Sequence, residues 1–221
     1  MKKHILFIGN SHTYLHFMPQ MLEQLVSAGD CNFELEADQC VGEGVSLEWH
    51  WNSEPTRSKM RSRSWDYIVL QERSGGPLEN IESFREHARL LASEIKKLGA
   101  ATILYMTWAN QNRPGDAGVL ADAYRQMAIE LNAGLAPVGM AWTSARKSSP
   151  GLELHHKDGR HASPAGAYLT ACVFYAVLTR TSPAGLPASF LIEGKLRPQQ
   201  DEVQALKLQQ AAWETCMIAD C

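Results

Sequence analysis

Two patterns of apolar residues alternate along the chain. Short runs rich in β-branched residues, at 4–8, 33–37, 67–71, 102–107 and 135–138, predict buried strands. Longer stretches with apolar residues three and four apart predict helices over 18–28, 83–98, 119–132, 164–178 and 200–219. The second of these carries Phe84, Ala88, Leu91, Ile95 and Leu98 on one face and Arg85, Glu86, Arg89, Lys96 and Lys97 elsewhere, and Gly99 supplies a stop.

Strands that alternate with helices cannot be joined by tight turns, so they pair in parallel through right-handed crossovers that cover both faces of the sheet. The expected architecture is α/β, a three-layer α/β/α sandwich on a central parallel sheet. A site in such a fold lies beyond the carboxyl ends of the strands. No internal repeat is present, and the Pro/Gly-rich stretch 181–188 reads as a loop, so residues 1–221 are expected to form a single domain.

Composition narrows the classes of function. With 221 residues, 45% of them hydrophobic and 20% charged, the chain can bury a core without disulfides or metals, and a net charge of -3 calls for no polyanionic partner. The basic stretch Arg57, Lys59, Arg61 and Arg63 has no interleaved aromatics and reads as a solvated face, not a nucleic-acid surface. Five cysteines, Cys31, Cys40, Cys172, Cys216 and Cys221, are odd in number and lack CxxC spacing, which indicates neither a disulfide framework nor a zinc knuckle. The apolar run after Met1-Lys2-Lys3-His4 is too short for a secretory signal, and no run approaches the roughly 18–20 apolar residues of a membrane span. A cytoplasmic protein without membrane association is the expectation.

Candidate chemistry sits at two places. Ser11 follows the first strand in Gly9-Asn10-Ser11-His12-Thr13, where a hydroxyl would stand at the strand's carboxyl edge beside unpaired backbone N–H groups. The same position suits a serine that only caps a helix. A seryl hydroxyl needs a histidine base, and the histidine needs a group to fix its tautomer. Far along the chain, Asp158-Gly159-Arg160-His161 lies just before the helix that Ser163-Pro164 opens, so Asp158 could fold back on one nitrogen of His161 and leave the other free. Taken singly, Asp158 is also a turn former and His161 a surface histidine, and His155 and His156 compete as bases or as partners of Asp158 in a metal site.

Together these blocks resemble the SGNH hydrolase superfamily, also called GDSL-like acylhydrolases. Phe7-Ile8-Gly9-Asn10-Ser11-His12-Thr13 is similar to its first block, with Asn10 where an acidic residue is usual, and Asp158-Gly159-Arg160-His161 with the following Pro164 and Gly166 is similar to its last. Tyr67-Ile68-Val69-Leu70-Gln71-Glu72-Arg73-Ser74 looks like a variant branch in which Leu-Gln replaces the third block's Gly-x-Asn-Asp. The resemblance implies a flavodoxin-like sandwich of about five parallel strands, no cofactor or metal, and ester substrates, acetylated sugars among them. It also implies a triad of Ser11, Asp158 and His161, with an oxyanion hole built from Ser11, Gly44 and Gln71; Gly42 and Asn110 are the alternatives to the last two.

Other readings fit less well. An α/β-hydrolase would place its serine in Gly-x-Ser-x-Gly after a later strand, and neither phosphate-loop nor dinucleotide glycine motifs follow the first strand. A binding protein that has lost catalysis on the same scaffold is the second class of hypothesis, suggested by the absent asparagine. Trp49, His50, Trp51 and Trp108 could line its cleft or simply pack.

Overall fold

The computed structural model describes residues 1–198 and 200–219; Cys221 lies outside them. Five parallel strands form the central sheet: β1 (Lys2–Gly9), β2 (Glu34–Val41), β3 (Tyr67–Leu70), β4 (Ala101–Tyr105) and β5 (Gly134–Ala136). Their order is β2-β1-β3-β4-β5. The chain leaves β1 toward one edge and later returns to its other side with β3, so the switch in winding direction falls beside β1, where a ligand site is expected.

Ten helices accompany the strands among the described residues: α1 (Ser11–Tyr14), α2 (Met18–Ala28), α3 (Leu47–Asn52), α4 (Glu54–Arg61), α5 (Gly76–Glu79), α6 (Ile81–Lys97), α7 (Asp116–Leu131), α8 (Val138–Ser148), α9 (Pro164–Thr179) and α10 (Glu202–Ala219). Side chains of β1 alternate between the two layers. Ile5 and Phe7 pack with residues of α2, α8, α9 and α10, whereas Leu6 and Ile8 pack with residues of α3, α4, α6 and α7. All four are fully buried, each contributing roughly 1.5–3 kcal/mol by leaving water. That two-sided burial explains why the strand reads as a continuous apolar run instead of an alternating one. The three-layer α/β/α arrangement is the one expected.

Differences from the sequence reading concern short or small-residue elements. The stretch 135–138 was expected to be a strand to its end, but β5 stops at Ala136 and Val138 opens α8. α3 and α4, six and eight residues long, are separated at Ser53. An antiparallel hairpin, β6 (Ser189–Ile192) and β7 (Lys195–Pro198), stands apart from the main sheet; its turn residues Glu193 and Gly194 both have positive φ (52° and 72°). Three of the four residues of the basic stretch are paired, Arg57 with Glu54, Lys59 with Asp38 and Arg63 with Glu36. No helix among the described residues is long and apolar enough to cross a membrane.

Candidate active site

β1 ends at Gly9 because the chain must turn there in almost no space. A Cβ on Gly9 would stand 2.5 Å from Gln71 Oε1 and 2.7 Å from Thr13 Oγ1. Asn10 then caps α1, its side-chain oxygen accepting the His12 N–H at 3.1 Å while its Nδ2 donates to the Val45 carbonyl at 2.9 Å. An aspartate could make only the first of these bonds. With the bond from Gly42 N–H to the Gly9 carbonyl (3.3 Å), Asn10 fastens the glycine loop after β2 to the turn that carries Ser11.

The other half of the site is a closed loop before α9. His155 and Ala162 form a bridge, His156 N–H donates to the His161 carbonyl (2.8 Å), and Gly159 turns the chain at φ 69°. Contacts from outside pin the loop, among them Trp108 Nε1–H on the Arg160 carbonyl (2.9 Å), Gln111 N–H on the Gly159 carbonyl (2.8 Å), and His16 Nε2 on the Ala162 carbonyl (3.0 Å). His16 and Phe17 both hold left-handed backbone, at a cost of about 1–2 kcal/mol each, in the turn that delivers the last contact. Ser163 caps α9 through Gly166 N–H, and a Cβ at Gly166 would meet the Leu154 carbonyl at 2.4 Å, so only glycine lets the helix start this close to the loop.

The two halves meet. Ser11 Oγ lies 2.9 Å from His161 Nε2, and His161 Nδ1 lies 2.6 Å from Asp158 Oδ2. Asp158 Oδ1 accepts the backbone N–H groups of Arg160 (2.9 Å) and His161 (3.0 Å). Partial burial works against the Asp158 charge, but the hydrogen bonds from the His161 ring and from these two N–H groups outweigh it and hold the carboxyl well below its usual range. Asp158 is therefore ionised across the neutral and mildly acidic range, which places the proton of a neutral His161 on Nδ1 and leaves Nε2 to accept from Ser11. Ser11 is 6% exposed, while the side chains of His161 and Asp158 are 34% and 39% exposed, so the hydroxyl lies at the bottom of an open-sided site.

His155 and His156 are placed differently. His155 Nε2 is bonded to the Ala109 carbonyl, and His156 Nδ1 stands 3.6 Å from Asp158 on the exposed side of the loop.

The expected oxyanion donors divide. The backbone N–H groups of Ser11 and Gly44 have no protein acceptor among the described residues, and Gly44, at φ 63°, lies on the exposed loop that Asn10 holds. Gln71 does not present its amide to the site. It is completely buried, its Oε1 accepts from Asn10 N–H (2.8 Å) and Thr13 Oγ1–H (3.0 Å), and its Nε2 donates to the Glu72 carbonyl (2.6 Å). Gln71 thus shapes the turn that carries Ser11 from below. Gln71→Ala leaves the Asn10 N–H buried without an acceptor, and a loss of about 1–3 kcal/mol in unfolding free energy by urea titration is expected. Asn110 lies partly exposed next to the loop contact made by Gln111.

Several residues at the site carry no motif signal. Glu72, buried beside Gln71, accepts the N–H groups of Leu47 (3.0 Å) and Arg73 (2.7 Å), tying α3 to the end of β3; burial pushes its carboxyl up. His50 is completely buried and its ring joins the Gly9 carbonyl (2.8 Å) to Thr56 (2.9 Å). Trp108 stacks on Trp142 at 3.8 Å, so of the aromatic residues considered for a cleft only Trp49, 48% exposed, turns a large face to solvent.

His12 is wedged between the rings of Trp108 (4.8 Å) and His161 (5.4 Å), and burial, with the nearby His161, drives its pKa down to about 3. A histidine that titrates near 6.5 when unfolded and near 3 when folded binds its proton in the unfolded state first, so stability falls as pH drops below 6.5. At pH 5 the loss from His12 is about 2 kcal/mol. Thermal unfolding of His12→Phe between pH 7 and pH 5 should be flatter than that of the wild type; parallel curves would show that His12 is not held neutral.

No family model and no curated protein matches the sequence. Solved structures do match. A protein from Slackia heliotrinireducens, described as a candidate SGNH hydrolase, is 28% identical over 80% of this chain and all of its own, with a TM-score of 0.66. A DUF4886 family protein from Bacteroides uniformis matches over 100% of this chain and 97% of its own at 18% identity and a TM-score of 0.75. A variant of an acetyl-xylooligosaccharide esterase from Geobacillus stearmophilus shares the fold at 16% identity, covering 78% of this chain and 92% of its own, with a TM-score of 0.59. Strand order and these likenesses agree on the fold, which this chain shares with SGNH/GDSL-like hydrolases.

Proposed function

We propose that this protein is a serine hydrolase of carboxylic esters, with Ser11 as nucleophile, His161 as general base and Asp158 as the group that orients and stabilises the imidazolium. The observation that carries the reading is the continuous chain of contacts Ser11 Oγ, His161 Nε2, His161 Nδ1 and Asp158 Oδ2 at 2.9 and 2.6 Å, made by segments 150 residues apart. A serine that only capped a helix would not need it, and here Asn10 does the capping.

Ser11 Oγ attacks the ester carbonyl as its proton passes to His161 Nε2. The tetrahedral oxyanion is met by the backbone N–H groups of Ser11 and Gly44, each worth on the order of 3 kcal/mol in the transition state. His161 then gives the proton to the departing alcohol, leaving an acyl-enzyme on Ser11. Water, deprotonated by the same nitrogen, releases the acid and restores the hydroxyl.

The structural neighbours include an acetyl-xylooligosaccharide esterase, which supports short acyl groups on sugars as the first substrates to try. Purified protein is expected to turn over 4-nitrophenyl acetate and to favour acetylated sugars over long-chain acyl esters. Absence of turnover on every ester would favour a ligand-binding role for the same scaffold.

A further inference from the structure

Trp108 also lines a cleft of about 300 Å³ whose lining includes none of Ser11, Asp158 and His161. This is at the lower end of the roughly 300–1,000 Å³ range of small-molecule sites. Its walls come from the segment after β4, the C-terminal half of α8 and the catalytic loop, through Trp108, Trp142, Thr143, Arg146, Lys147 and His155.

The charge in this cleft is one-sided. None of the residues lining it is an aspartate or glutamate, yet Arg146 and Lys147 both face it and neither forms an ion pair among the described residues. Two nearby carboxylates are already engaged, Asp116 of α7 by Arg113 at 2.9 Å and Asp158 by His161. Cations in the last turn of α8 also suit the helix's carbonyl end, but that end calls for no enclosed space and no aromatic wall. Trp142, which lines the cleft, is 2% exposed, and its buried indole Nε1–H has no acceptor among the described residues.

We propose that this cleft binds the anionic group, carboxylate or phosphate, of a small ligand whose apolar body lies against the edges of Trp108 and Trp142. Arg146 and Lys147 supply the charge-assisted bonds. The cleft shares a wall with the catalytic loop, since His155 pairs with Ala162 and Trp108 holds the Arg160 carbonyl. Its occupant is therefore either the charged end of the ester substrate, which rests on the hydrolase reading, or a separate anion, which does not.

Isothermal titration with benzoate and with its neutral isostere benzamide tests the site directly. Benzoate is expected to bind at least about tenfold more tightly than benzamide, and R146Q/K147Q, at an unchanged unfolding temperature, to lose that difference. Equal binding of the two probes, no binding of either, or benzoate binding that survives the double substitution would overturn the proposal. A second arm separates the two sources. A kcat/KM advantage of 4-nitrophenyl hemisuccinate over 4-nitrophenyl butyrate that disappears in R146Q/K147Q assigns the charge to the substrate, whereas equal turnover of the two esters alongside benzoate binding assigns it to a separate anion. If neither ester is hydrolysed the hydrolase reading fails, and the titration still decides the cleft.

Discussion

Ser11→Ala is expected to lower kcat for 4-nitrophenyl acetate by at least about 10⁴-fold while leaving the fold intact. The two effects separate because of where the hydroxyl sits. Among the described residues its only side-chain partner is His161, whose ring is itself 34% exposed and can turn to water when the hydroxyl is removed. The stability change is thus held to about 1 kcal/mol or less, the net worth of one hydrogen bond. The loss of the attacking oxygen cannot be recovered in the same way, since the nearly buried position leaves a methyl group where the nucleophile stood. Inactivity with a wild-type circular dichroism spectrum and unfolding temperature is the expected result, and residual turnover within tenfold of wild type would remove Ser11 from the mechanism.

His161→Ala should cost about a thousandfold or more in kcat, with partial recovery on adding imidazole. Without Nε2 at 2.9 Å the seryl proton has no acceptor, and the open side of the site gives a small base a way in. Neighbouring histidines serve as controls. His155 is tied to the Ala109 carbonyl and His156 lies outside the chain of contacts, so His156→Ala should leave the rate within about threefold of wild type. A larger loss at His156 than at His161 would mean that the base has been misassigned.

What the sequence made legible follows from how each feature is encoded. β1, α2 and α9 were readable because long apolar periodicity and local signals, Gly9 at one end and Ser163-Pro164 at another, agreed. The candidate nucleophile and the Asp158–His161 pair were readable because three residues of loop backbone suffice to fold a carboxylate onto an imidazole, a local matter. α3 and α4 were not, since six and eight residues broken at Ser53 are too short for a helical period to emerge. α8 hid its apolar stripe, Val138, Ala141, Trp142 and Ala145, behind small residues and an adjoining strand. Gln71 shows a different limit. Its position at the end of β3 was read correctly, but whether an amide there turns into the site or under it depends on Asn10 and Thr13, sixty residues away. The same holds for His12, Glu72 and His50, whose roles come from tertiary neighbours.

The central claim is that Ser11 is an activated nucleophile, and labelling with a fluorophosphonate followed by peptide mass spectrometry tests it most directly. The account predicts one phosphonyl adduct, on the peptide that contains Ser11, formed by the wild type and absent from His161→Ala over the same minutes. An unmodified Ser11 under conditions that label other serine hydrolases, or an adduct carried by a different residue, would contradict it.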